Sequence, residues 1–110
     1  MATAAIRTSD DATVVTLTGD LIIDTVASLR PALLDGLAQP GDLTLDLAAV
    51  DACDTAGIQL LLATAAAARL RSKELRLTAA APAVRAAAAR IGIAAASLGL
   101  PGQGEQGTAP

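Results

Sequence analysis

"VDACDTAGIQLLL", Val50 to Leu62, joins two patterns that belong to different elements. Upstream of it, "DLTLDL" from Asp42 to Leu47 alternates polar and apolar residues with period two, the signature of a half-buried strand. Downstream, Leu and Ala dominate, and a helix is expected from about Ala56 to Arg71. Between the two lie Asp51, Cys53, Asp54, Thr55 and Gly57. A strand tip leading straight into a helix entrance is the repeating unit of an α/β sheet. In such sheets functional groups gather beyond the carboxyl ends of the strands. The expected Asp51–Gly57 loop is at that edge.

Working outward, the rest of the chain repeats the alternation. Ala4 to Thr8 and Thr13 to Thr18 are rich in Val, Thr and Leu and read as two short strands, with Ser9-Asp10-Asp11 as the turn. Gly19-Asp20 is expected to break the second strand. Asp24 or Thr25 can cap a helix whose apolar residues Val26, Leu29, Leu33, Leu34 and Leu37 keep helical spacing. Pro31 either kinks that helix or marks its proper start, and Gly36 with Pro40-Gly41 ends it. "ELRLT", Glu74 to Thr78, is a further alternating strand. Pro82 opens a helix through Arg90 that Gly92 terminates, and Ile93 to Leu100 can add a last short helix. Strands alternating with helices imply parallel pairs joined by crossovers, hence a layered α/β domain. Residues 1–100 read as one domain, and "PGQGEQGTAP", 101–110, has the composition of a disordered tail.

Composition narrows the function. The chain has 110 residues, the size of one domain, and at 53% hydrophobic it can build a core. It has no Phe, Trp or Tyr, so that core must be filled by Leu, Ile, Val and Ala, and base-stacking platforms are missing. The net charge of −3 has the wrong sign for nucleic acid or an anionic membrane surface. Without histidine there is no Ser-His-Asp or Cys-His arrangement, and with one cysteine there is no zinc ligand set. No cofactor or metal is expected. Cys53 has no intramolecular disulfide partner, the N-terminus lacks a signal-peptide pattern, and the apolar runs are too short to span a bilayer. A cytoplasmic location is expected.

At the junction itself, Asp54 or Thr55 suits an N-cap, and Asp51 complements a positive helix end. Gly57 would let the first turn pack tightly, and Cys53 reads as a buried small hydrophobe. A second reading starts from the Thr55 hydroxyl at a helix N-terminus, where a phosphate is tolerated and would change what a partner meets. Past Thr55, Ile58, Leu61, Leu62 and Ala65 form a face able to turn inward. Gln59, Leu60, Ala63, Thr64, Ala67 and Leu70 occupy the opposite faces almost without charge. Either later segments cover those faces or a partner does.

"LDLAAVDACDTAGIQLLLATAAAAR" resembles the signature of STAS domains, the anti-sigma-factor antagonist family: an apolar strand, a short loop, then Asp-Ser/Thr-Ser/Ala-Gly-Leu/Ile opening a helix. "LTGDLIIDTVASLRPALL" is similar to the family's Gly-x-Leu segment and first helix. "ELRLTAAAPAVRAAAARIGI" is similar to its last strand, Pro-Val helix and closing Gly-Ile. The resemblance implies an α/β, STAS-like fold, a mixed four-stranded sheet in the order β-β-α-β-α-β-α-α with helices packed on it. It implies a non-enzymatic regulator in which Thr55 is the target of a serine/threonine kinase. The unphosphorylated form would bind that kinase or an anti-sigma factor through Asp51, Asp54, Thr55, Ala56, Gly57, Gln59, Leu60 and Ala63. The Asp-Thr-Ala-Gly-Ile variant also resembles two branches in which phosphorylation is not implied: STAS proteins of chemotaxis-kinase complexes and the STAS subunit of a phospholipid-transport ABC system. Direct phosphoryl acceptance by Asp54, as in response-regulator receivers, would need an acidic pair at a first-strand end and more chain, which the position of Asp10 and Asp11 does not supply.

Overall fold

The computed structural model describes residues 2–9, 11–78 and 81–92. The expected final helix at 93–100 and the expected tail at 101–110 lie outside the described residues. The order of elements is β1 (Ala2–Thr8), β2 (Ala12–Leu21), α1 (Val26–Ala38), β3 (Asp42–Cys53), α2 (Thr55–Leu70), β4 (Leu75–Thr78) and α3 (Pro82–Arg90). One four-stranded sheet runs β1-β2-β3-β4. β1 is antiparallel to β2, while β2–β3 and β3–β4 are parallel, so the sheet is mixed as expected.

Alternation sets which side is covered. Val15 and Leu17 on β2, and Leu43, Leu45 and Leu47 on β3, are almost fully buried. Their neighbours Val14, Thr16, Thr44 and Asp46 are only partly so. Leu29, Leu33 and Leu37 from α1, Ile58 and Leu61 from α2, and Val84 from α3 join the same core cluster. Both crossovers step the same way across the sheet, β2 to β3 and β3 to β4. With the usual right-handed connection this sets α1 and α2 side by side on one face, and the two helices touch. Their N-termini therefore share the edge where β2 and β3 end.

Several expectations shift on meeting the chain. β2 does not break at Gly19-Asp20. Gly19 takes φ 95°, a conformation glycine adopts without strain, and the strand continues to Leu21 through register shifts on either side of it. β3 runs past Leu47 to Cys53, because its later residues pair with Thr18 to Leu21 on the extended β2. The loop expected over Asp51–Gly57 is thereby reduced to Asp54 alone between strand and helix. Pro31 lies inside α1 and does not begin it. On α2 the inward residues are Ile58, Leu61, Thr64 and Ala68, while Leu62 and Ala65 are half-buried. Thr64 tolerates burial because its hydroxyl donates to the Leu60 carbonyl at 2.8 Å.

Candidate functional site

Asp54 is the N-cap of α2. Its Oδ1 accepts the Gly57 N–H at 3.0 Å, and its Oδ2 accepts the Ile23 N–H at 3.1 Å. The Asp54 N–H donates to the Leu21 carbonyl at 3.2 Å. One residue thus closes the first turn of α2 and ties it to the segment between β2 and α1. Burial would raise its pKa, but the amide donors of Gly57, Ile23 and Ala56 outweigh that and hold the carboxyl below its ordinary value. The choice of cap between Asp54 and Thr55 falls to Asp54.

At α1, the expected cap from Asp24 or Thr25 takes another form. Thr25 occupies the N-cap position but makes no side-chain cap bond. Its hydroxyl donates instead toward the carbonyls of Asp20, at 2.6 Å, and Ile22, at 3.0 Å, and accepts the Ile22 N–H at 3.1 Å. It braces the end of β2 and the loop that carries Ile23 to Asp54.

Gly57 is buried where α2 crosses the end of β2. A Cβ built there would stand 2.2 Å from the Leu21 carbonyl oxygen and 2.9 Å from the Cys53 sulfur. No side chain fits without moving backbone. Cys53 is 8% exposed, and burial, with the Asp54 carboxylate adding to it against a smaller opposing effect of Arg90, pushes its thiol up to about 11. It packs as a small hydrophobe and is a poor nucleophile at neutral pH.

Thr55 is different from all of these. It is the first residue of α2, it is exposed, and its hydroxyl makes no hydrogen bond among the described residues. Gln59 and Ala63 follow at intervals of four on the same helix face. That face borders a trough of about 400 Å³ between α1 and α2, lined on the α2 side by Ala56, Gln59, Leu60 and Ala63. Four of the residues expected to meet a partner are therefore gathered on one wall, with Thr55 at its head. Asp51 is exposed at the end of β3, whereas Asp54 and Gly57 are committed to holding the junction.

The opposite wall escaped the reading of the sequence. Ile23, Val26, Arg30 and Leu34 line it. Leu34, one of the apolar residues in helical spacing on α1, is 46% exposed, and Ile23 is 67% exposed. The missed signal was an apolar stripe on α1 wider than one core-facing side needs. Of the later segments expected to cover the trough, β4 and α3 contribute none of its lining residues, and residues 93–110 lie outside those described. Among the described residues no group of His, Cys, Asp and Glu suited to a metal comes together, and no helix is long and apolar enough to cross a membrane.

This strand-tip arrangement, with an acidic cap, an exposed hydroxyl and a buried glycine, is that of a STAS domain. The family model described as "Mlab, STAS domain" matches residues 4–100, and the chain belongs to that family. Solved structures share the fold. An anti-sigma factor antagonist from Mycobacterium paratuberculosis superposes with a TM-score of 0.73 at 24% identity, covering 99% of this chain and 93% of that one. A Ser-to-Glu variant of RsbS from Moorella thermoacetica gives 0.72 at 22% identity, covering 91% and 86%. The anti-sigma factor antagonist SpoIIAA in its unphosphorylated form gives 0.69 at 17% identity, covering 97% and 93%. No curated protein matches the chain.

Proposed function

We propose that the chain is a non-enzymatic regulator that works by binding a partner protein, an anti-sigma factor or a serine/threonine kinase, and that phosphorylation of Thr55 releases it. The observation that carries this reading is the contrast between Asp54 and Thr55. The carboxylate is tied down by amide donors from both sides of the junction, while the adjacent hydroxyl stands free at the head of an apolar trough. A phosphate on Thr55 would bring roughly −1.5 to −2 charge. Because Asp54 already takes the donors of Gly57 and Ala56, that charge finds few partners within the domain and stays directed at whatever docks there. A penalty of about 1.4 kcal/mol weakens binding tenfold, and a charge stranded in an interface costs about 3–5 kcal/mol. The switch needs no refolding.

A second reading keeps the surface and drops the switch. Ala56 and the uncharged wall behind it suit a constitutive subunit of a larger complex, and the matching family model is described as Mlab and not as an anti-sigma factor antagonist. Phosphopeptide mapping of the chain isolated from its host separates the two. Because Arg30 precedes Pro31, trypsin leaves Thr55 in a long peptide, and added cleavage before Asp54 yields the short fragment Asp54–Arg69. Phosphate at Thr55 in a pool without bound partner supports the switch. Unmodified Thr55 in a stoichiometric complex supports the constitutive subunit.

A further inference from the structure

The α1 wall of the trough carries a charge that no described residue answers. Arg30 lines it, is exposed, and makes no hydrogen bond or ion pair among the described residues. No Asp or Glu lines the trough, so Arg30 is the one charged group on an otherwise apolar and small-polar surface among the described residues. The rim residues Ile23, Leu34 and Gln59 are exposed, which makes this an open channel between two helices and not an enclosed cavity. Small residues, Ala27 on one wall and Ala56, Ala63 and Ala67 on the other, let a third backbone come close. Ala56 to Ala67 spans about 17 Å along α2, the length of a three-turn helix. Small-molecule pockets bury most of their ligand, which a trough this open does not do.

We infer that the trough receives an amphipathic helix of the partner, whose apolar stripe lies between α1 and α2 and whose Asp or Glu side chain pairs with Arg30. A carboxylate meets a guanidinium there with the geometry of a two-point hydrogen bond, and a basic side chain at the same place is repelled. Arg30 lies four residues after Val26, the first residue of α1, and so about 6 Å along that helix. The acidic residue therefore sits about one turn in from the start of α1, on the flank of the apolar stripe. The inference rests on the proposed docking at this face and specifies which chemistry docks.

A displayed library of 18-residue helical peptides, with one leucine stripe fixed and the flanking positions randomised, tests it. Selection against the intact chain is expected to enrich Asp or Glu at one flanking position. Selection against Arg30→Glu is expected to enrich Lys or Arg at that same position. The winning peptide should bind Arg30→Met at least tenfold more weakly than wild type, and should shift the amide resonances of Leu34, Leu60 and Ala63. Circular dichroism of each variant checks that the fold is kept. Failure to select any binder, the same preference on both targets, or shifts on another face overturns the inference. So does saturation of those amides by sodium dodecanoate where no peptide acts, which would assign the trough to a small amphipathic anion, or their shift with protein concentration alone, which would assign it to a second copy. A charge preference set by Arg30 with no effect of Thr55 variants on the partner would sink the switch and leave this inference standing. The reverse outcome would do the opposite.

Discussion

Replacing Gly57 with alanine sets helix propensity against space. In an unconstrained helix the change would stabilise by about 1 kcal/mol. Here the new Cβ would lie 2.2 Å from the Leu21 oxygen, where ordinary contact begins at 3.4 Å. The helix start and the end of β2 must separate by more than about 1 Å. The obstacle is backbone carbonyl, so no rotamer relieves it. Separation stretches the bond from the Asp54 N–H to the same oxygen, 3.2 Å in the native chain, and loosens the Asp54–Ile23 contact beside it. Overpacking of this kind costs about 1–3 kcal/mol, and each hydrogen bond lost adds about 0.5–1.5 kcal/mol. Subtracting the propensity gain leaves a net loss of about 2–3 kcal/mol, or a Tm lower by roughly 10 °C. Without aromatic residues there is no useful intrinsic fluorescence, so urea unfolding followed by far-UV circular dichroism is the assay. The midpoint should fall with the m-value unchanged. Gly36→Ala is the control, since its Cβ would meet only side-chain atoms, Val15 Cγ2 at 3.0 Å and Leu43 Cδ1 at 3.2 Å, and should lose less. A Gly57→Ala protein as stable as wild type would refute the close crossing of α2 over β2.

Asp54→Ala should cost about 1–3 kcal/mol at pH 7, from the lost cap and the stranded Ile23 amide. Because the folded pKa of Asp54 lies below its ordinary 3.8, its contribution is present above that value and is lost as pH falls through the folded one. The gap between wild type and variant in urea titrations should therefore narrow below about pH 4, and an unchanged gap there would contradict the assignment. Cys53, with its thiol raised from 9.0 to about 11, should react with iodoacetamide at pH 8 at least about a hundredfold more slowly in the native chain than in urea. Comparable rates in the two states would show it exposed. The Thr13 hydroxyl is buried without a hydrogen-bond partner among the described residues, so Thr13→Val should raise stability by about 1 kcal/mol. A loss in the same unfolding assay would reveal a partner for that hydroxyl.

What was legible in the chain follows from which physical signals are local. The β3 alternation at Leu43, Leu45 and Leu47 and the start of α3 at Pro82 are where their patterns put them, because period and a missing N–H act within a few residues. The length of β2 and β3 was not legible. Ala48-Ala49-Val50 breaks the alternation, and it is the pairing across Gly19 with β2 that keeps both strands extended. The sequence offered Asp54 or Thr55 as the cap, and the structure takes Asp54; tight packing at Gly57 was one expected role, and it is found. That the same carboxylate also holds Ile23 depends on a contact 31 residues away in sequence. The exposure of Leu34 was not legible for a related reason: helical spacing says which residues share a face, but only the placement of α2 beside α1 decides that this face opens on a trough.

In the proposed function, the exposed oxygen at the α2 entrance governs a partner's grip without altering the fold. The most direct test of this is titration of the partner that co-purifies with the chain against wild type, Thr55→Ala and Thr55→Glu, each shown by circular dichroism and urea unfolding to be equally folded. Thr55→Ala should bind about as tightly as unmodified wild type, and Thr55→Glu at least tenfold more weakly. Equal affinity across all three, with the fold intact, would contradict it.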